Sequence, residues 1–248
     1  MIPAGTDFAI FESSNMPSVI HVTNQGKGKP MDAKKIGILG SGAVAQTLAN
    51  GFMKHGSEVM LGSRDQKKLA DWKKQAGAKG RLGTLPETAA WAQIVVLAVK
   101  GSAALEALRA AGAENISGKT VIDVTNPIAD ASPVNGVIAF FTSLDRSLME
   151  QLQKEFPKAH FVKAFNSIGN AFMVNPDFGG TKPSMFICGN DANAKKDVSA
   201  IVETFGFEAE DMGMAEGARA IEPLCMLWCI PGMLRNEWSH AFKLLKTR

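Results

Sequence analysis

The chain alternates short apolar runs with amphipathic stretches over most of its length. Residues 36–39 form the first apolar run. It stops at Gly40-Ser41-Gly42-Ala43-Val44-Ala45, after which Leu48, Ala49, Phe52 and Met53 recur at helical spacing. The order is strand, glycine turn, helix. Lys54-His55-Gly56 stops that helix, and residues 58–61 read as a second strand. Leu69 and Trp72 mark a lysine-rich amphipathic helix ending near Gly77, followed by a short third strand around Arg81 and Leu82. Thr84, Pro86 and Glu87 have the spacing of a capping box that opens a helix running to about Ala92. Residues 94–99, IVVLAV, are apolar without alternation, as in a strand buried on both faces. A helix over 102–111 and a fifth strand over 120–125, ending at Asn126-Pro127, complete the first half.

The second half keeps the alternation less regularly. The pattern predicts a helix over 143–156, a strand over 161–165, a short helix over 169–174 and a strand over 184–188. A capped helix over 191–205 and a last strand over 207–212 follow. From Ala215 onward the chain reads as helical, and Pro223 and Pro231-Gly232 predict two or three helical pieces. Strands alternating with helices at this spacing imply an α/β protein with a doubly wound, mostly parallel sheet.

The glycine turn carries the first chemical signal. Gly-x-Gly-x-x-Ala between a strand and a helix is the dinucleotide-binding fingerprint of the Rossmann class. Gly40 permits the tight turn, Gly42 lets backbone approach a pyrophosphate, and Ala45 keeps helix and strand close. The helix start offers free N–H groups and a positive dipole end to the phosphates. About 20 residues further on, NAD-binding domains place an Asp or Glu on the ribose 2′-hydroxyl. This chain has Gly62-Ser63-Arg64 there, with Lys68 one helical turn beyond. A small residue leaves room for a 2′-phosphate, Ser63 can donate to it, and the Arg64 guanidinium matches its geometry. NADP is therefore the expected cofactor.

Composition narrows the picture. With 248 residues the chain holds one good core. The expected division is an N-terminal extension over 1–33, an NADP-binding domain over 34–213 and a helical lobe over 214–248. The extension lacks the basic start and sustained apolar core of a signal peptide, and Met31 sits where an initiator would. Residues 18–22 are its one stretch with strand character, and the extension is expected to be dispensable for cofactor binding. A net charge of +3, with lysine pairs scattered and no interleaved aromatics, gives no nucleic-acid signature. No run approaches the roughly 18 apolar residues of a membrane span. Cys188, Cys225 and Cys229, an odd number in apolar surroundings, read as reduced core residues of a cytoplasmic protein. Cys225 and Cys229 share a helix face without a third ligand nearby, and the histidines are dispersed, so no metal site is expected. Met226, Leu227, Trp228, Ile230, Met233, Leu234 and Trp238 are more apolar surface than a small lobe hides, which predicts a two-fold homodimer.

In doubly wound sheets, ligands bind beyond the carboxyl ends of the strands at the switch between the two halves. That rule selects Gly40, Ser41, Gly42, Ala43 and Val44 after the first strand, and Ser63 and Arg64 with Lys68 after the second. It adds Ala98, Val99 and Lys100 after the fourth strand, Asn126 and Pro127 after the fifth, and Asn166 with Ser167 after the sixth. The first two groups are expected at the phosphates, and the others around the nicotinamide and its substrate. Strand-end capping is the alternative role for Asn126 and Asn166. No catalytic acid or base is identifiable from spacing. His160 lies at the wrong end of its strand, and His240 has no visible partner.

The segments LGSGAVAQTLA, LGSR, IVVLAVK, VIDVTNPI, VKAFNSIG, DMG and EGARAIEPLCMLW resemble the coenzyme F420-dependent NADP oxidoreductases over about residues 35–232. The cytosolic reductase domains of six-helix ferric reductases share the Val-Lys-x-Phe-Asn pattern, here at 162–166, and the Ala-Arg-x-x-Glu pattern, here at 218–222. The membrane span of those reductases is absent, and Ala45 stands where the family has a further glycine. The resemblance implies NADP and a flavin or deazaflavin, stacked on the nicotinamide near the last helices. The expected activity is hydride transfer between NADPH and a flavin or F420-like acceptor, a small molecule. An NADPH-dependent imine or carbonyl reductase of the pyrroline-carboxylate reductase type, and a non-catalytic NADP-binding sensor, remain as alternatives.

Overall fold

The unbroken apolar runs are those of strands covered on both faces: Ile36, Ile38, Leu39 and residues 95–97 are fully buried. In the computed structural model, which describes residues 34–247, the strands are β1 (Lys35–Leu39), β2 (Glu58–Gly62), β3 (Gly80–Gly83) and β4 (Ile94–Leu97). They continue as β5 (Thr120–Asp123), β6 (His160–Lys163), β7 (Ser184–Gly189) and β8 (Glu208–Asp211). All belong to one sheet of order β3-β2-β1-β4-β5-β6-β7-β8. Only the β6–β7 pair is antiparallel, with Lys163 opposite Cys188. The sheet is thus mostly parallel, and its chain direction of winding reverses between β1 and β4.

Helices α1 (Ala43–Lys54) and α7 (Ala192–Thr204) cover one face, where Leu48 and Phe52 meet Ile38, Val198 and Phe205. The Phe52 and Phe205 rings lie 4.9 Å apart. Helices α3 (Leu85–Trp91), α4 (Ala104–Ala111) and α6 (Leu148–Glu155) cover the other face, with Ala89, Leu108 and Leu152 against Leu97 and Val121. Two short helices, α2 (Ala70–Ala76) and α5 (Ala113–Ile116), lie in the connections. The capping box at Thr84 forms as expected: Thr84 Oγ1 accepts from Glu87 N, and Glu87 accepts from Thr84 N at 2.8 Å.

The helix expected over 143–156, three of the strands and the closing segment differ from expectation. The helix expected over 143–156 begins only at Leu148, because Ser147 and Glu150 form a second capping box and Ser143 bridges back to Arg146. Strands β4, β5 and β6 each stop two residues early, which frees the residues after them to line a cleft. The closing segment is one helix, α8 (Ala218–Arg235), running through both Pro223 and Pro231. Burial of Ile221, Cys225, Trp228 and Cys229 along it offsets the lost hydrogen bonds. Asn236, at φ +57, ends α8 in a left-handed turn. The chain then returns without helix to the sheet, where Ser184 N donates to Phe242 O at 2.9 Å. The expected extension and its strand-like stretch at 18–22 lie outside the described residues.

Candidate cofactor and substrate site

Gly40 is required by a close approach. Its φ is +146, and a Cβ there would sit 2.2 Å from the Ala98 carbonyl oxygen, so only glycine lets the end of β1 run against β4. Its N–H donates to Gly62 O at 2.9 Å, which brings the ends of β1 and β2 side by side. Gly42 serves a different purpose. It is the extended N-cap residue of α1, no side chain caps that helix, and its first turn holds no acidic residue. A Cβ on Gly42 would meet nothing within 4 Å. Open space therefore lies against uncapped amides at a positive dipole end.

That space is continuous with a cavity of about 420 Å3. Gly42, Ala43 and Val44 form one end of its wall, and Ala98, Val99 and Lys100 continue it past β4. Thr125, Asn126, Phe165 and Asn166 close it beyond β5 and β6. The opposite wall comes from Ile128, Ala129, Ile138, Ile168 and Met173. The connections after β5 and β6 thus supply lining where the last helices were expected, and no residue of the closing helix lines the cavity. The only ionisable side chains on the lining are Lys100 and Asp130, both exposed.

Asn126 and Asn166 clamp one another. Asn126 Nδ2 donates to Asn166 O at 2.7 Å, and Asn166 Nδ2 donates to Asn126 Oδ1 at 3.1 Å and to Ile221 O at 3.0 Å. Asn166 Oδ1 is buried without a partner beside the cavity. Phe165 precedes it at φ +59, a strained value for a bulky side chain. Pro127 is buried and does not line the cavity; its carbonyl accepts from Phe141 N at 2.9 Å.

The residues after β2 stand apart from the cavity wall. Arg64 and Lys68 are exposed, and Ser63 Oγ is tied to Asp65, donating to its O at 3.0 Å and accepting from its N at 3.1 Å. Gly62 is small for packing rather than for a phosphate: a Cβ there would lie 2.8 Å from Thr88 Oγ1.

Sequence reasoning missed a buried charge cluster behind the cavity. Lys163 is directly opposite Asp123 in the β5–β6 pairing. Its Nζ lies 2.7 Å from Asp123 Oδ2 and 2.9 Å from Glu222 Oε1, and donates to Thr125 O at 2.9 Å. Asp123 Oδ1 accepts from Thr125 N at 2.9 Å and Thr125 Oγ1 at 2.7 Å. Glu222 accepts from Leu148 N at 2.9 Å and Met149 N at 3.0 Å, capping α6. Burial alone would depress the Lys163 ammonium, but the two carboxylates hold it above its ordinary value. The signal was available: Asp123 and Lys163 interrupt apolar strands, and Glu222 interrupts an apolar helix.

None of the remaining candidates lines the cavity. Cys188, Cys225 and Cys229 are buried and free, and burial pushes the Cys188 thiol up to about 12. His160 begins β6 at the end away from the cavity. His240, for which no partner was visible, stacks on Trp228 and places Nε2 2.9 Å from Trp228 O. Among the described residues no three His, Cys, Asp or Glu side chains gather as metal ligands.

A doubly wound sheet with a glycine turn and a cleft at its switch point defines a Rossmann-type protein. The model of the family "NADP oxidoreductase coenzyme F420-dependent" matches residues 35–127. A solved structure from Arthrobacter sp. FB24, of a protein proposed to be an F420-dependent NADP reductase, is 32% identical with a TM-score of 0.81. That match covers 86% of this chain and 100% of the other. The chain belongs to this family of NADP-dependent oxidoreductases. It is also 31% identical over 212 residues to the metalloreductase STEAP3 of Rattus norvegicus, covering 83% of this chain but only 40% of the relative's length. An imine reductase from Streptomyces aurantiacus, at 18% identity and a TM-score of 0.60 over 81% of this chain and 63% of that one, shares the fold.

Proposed function

We propose that the chain binds NADPH across the β1–β4 switch and passes its hydride to a flavin or deazaflavin of the F420 type. The observation that carries this reading is the cavity wall. It runs from the uncapped start of α1 to an apolar chamber whose only ionisable side chains, Lys100 and Asp130, are exposed. Reduction of an imine or carbonyl needs a proton donor at the transfer point. Of the hydroxyl residues on the lining, Thr125 has Oγ1 committed to Asp123 and Ser102 is exposed to solvent, and the chain has no tyrosine. A planar ring acceptor needs alignment instead, because the cofactor supplies the hydride.

In this reading Gly40 and Ser41 shape the turn, and Gly42, Ala43 and Val44 offer backbone to the pyrophosphate. Ser63, Arg64 and Lys68 take the 2′-phosphate, with Arg64 and Lys68 free to reach it. Ala98, Val99, Lys100, Asn126 and Asn166 surround the nicotinamide, with Pro127 buried next to Asn126 in the chain. We assign 34–213 to the NADP-binding domain and the segment from 214 onward to the lobe that backs it. Free buried thiols favour the cytoplasm. Among the described residues no helix is long and apolar enough to cross a membrane.

The test is NADPH oxidation followed with coenzyme F420, FMN, FAD, ferric chelates and small cyclic imines as acceptors. Turnover on F420 or a flavin and none on the imines is expected. Turnover confined to the imines would replace this reading, and tight NADPH binding with no turnover at all would favour a sensor.

A further inference from the structure

Asp123, Lys163 and Glu222 are buried charges that the proposed hydride transfer does not use directly. Their side chains are 0%, 0% and 2% exposed. Donors surround both carboxylates: the Thr125 N–H and hydroxyl on Asp123 Oδ1, the Leu148 and Met149 N–H groups on Glu222, and the Lys163 ammonium 2.7 Å from Asp123 Oδ2 and 2.9 Å from Glu222 Oε1; Asp123 Oδ2 has only that ion pair and no hydrogen bond. An ammonium within 3 Å and N–H and O–H donors on each carboxylate all favour the charged form. One ammonium against two carboxylates leaves a net charge of −1. The N-terminus of α6 offsets roughly half a charge at Glu222 and no more.

This charge sits one residue behind the cavity. Thr125 lines the cavity, and its N–H, hydroxyl and carbonyl are all held by the cluster. Burial keeps salt from screening it. The two redox states of the expected cofactor differ by one positive charge, which the oxidised nicotinamide ring carries. We propose that the Asp123–Lys163–Glu222 cluster stabilises the oxidised ring over the reduced one, so that the bound cofactor is a stronger hydride donor than it is free in solution. The inference rests on the proposed NADP site.

Dissociation constants for NADP+ and NADPH, measured by calorimetry at pH 7, test it. Loosening the site weakens both forms alike, whereas removing the charge changes their ratio. The ratio Kd(NADP+)/Kd(NADPH) lies below one in the natural protein and rises on the order of ten-fold in both Glu222→Gln and Asp123→Asn. It stays within about two-fold of the natural value in Glu222→Asp, which keeps the charge, and is insensitive to salt between low and physiological ionic strength. A ratio unmoved by either neutralising variant overturns the proposal. If neither variant folds, the natural protein decides: tighter NADP+ supports the proposal and tighter NADPH overturns it. A protein that binds neither form overturns the cofactor reading itself.

Discussion

Gly40 and Gly42 stand two positions apart and serve opposite ends. A methyl group on Gly40 collides with the Ala98 carbonyl at 2.2 Å, whereas one on Gly42 enters open space. Gly40→Ala is expected to cost on the order of 2–4 kcal/mol of stability, read from denaturant unfolding. Gly42→Ala is expected to leave the unfolding midpoint in place and weaken NADPH binding by about ten-fold or more, read from a fluorescence titration. Arg64→Ala should weaken NADPH about ten-fold and leave NADH nearly unchanged, because an exposed guanidinium contributes only a screened phosphate contact. Replacing Gly62 with Asp is a poor test of cofactor choice, since its Cβ would be driven into Thr88. Lys163→Met should be the most damaging single change, by about 3–5 kcal/mol, because it abandons two buried carboxylates.

At the scale of elements, α6 is held at its start by Glu150 and Glu222. Hydrogen bonding from Arg219, with the Ser147 cap, lowers the Glu150 carboxyl from 4.5 to about 2 despite partial burial. A carboxyl depressed on folding contributes stability above its unfolded value and loses it as pH falls through the folded one. That contribution should therefore fade between about pH 4.5 and pH 2. In Glu150→Gln the acid-unfolding profile should become shallower in that window, as followed by circular dichroism. Apolar periodicity extends that helix back to 143, because it registers neither the Ser147–Glu150 box nor the bridge between Ser143 and Arg146. Strands β1 and β4 were legible for a simple reason: burial on both faces leaves an unbroken apolar run. The continuity of α8 was not, since two prolines argue against it and only its burial against Ile138 and the sheet outweighs them. The wall over 128–138 was equally hidden. It has neither helix nor strand period, and it closes the cavity through isolated bridges such as Ile128 with Phe140.

For the whole molecule, the tail after α8 decides how much apolar surface is left. Trp228 is buried beneath Trp238 and His240, so part of the patch expected at an interface is covered by its own chain. What stays exposed is Leu227 and Leu234 on α8, with Val134 and Val137 on the turn whose Gly136 packs against Leu234. A homodimer built on this face should dissociate in Leu234→Glu without loss of fold, as sedimentation velocity would report; an unchanged dimer would move the interface elsewhere. The central claim is that one cleft at the β1–β4 switch holds the dinucleotide from the start of α1 to the Asn126–Asn166 clamp. A crystal structure of the protein with NADP+ tests it most directly. The pyrophosphate is expected against the amides of Ala43 and Val44, Arg64 on the 2′-phosphate, and the nicotinamide beside Asn126 and Asn166. A cofactor bound away from the first turn of α1, or with its nicotinamide outside the Asn126–Asn166 chamber, would contradict it.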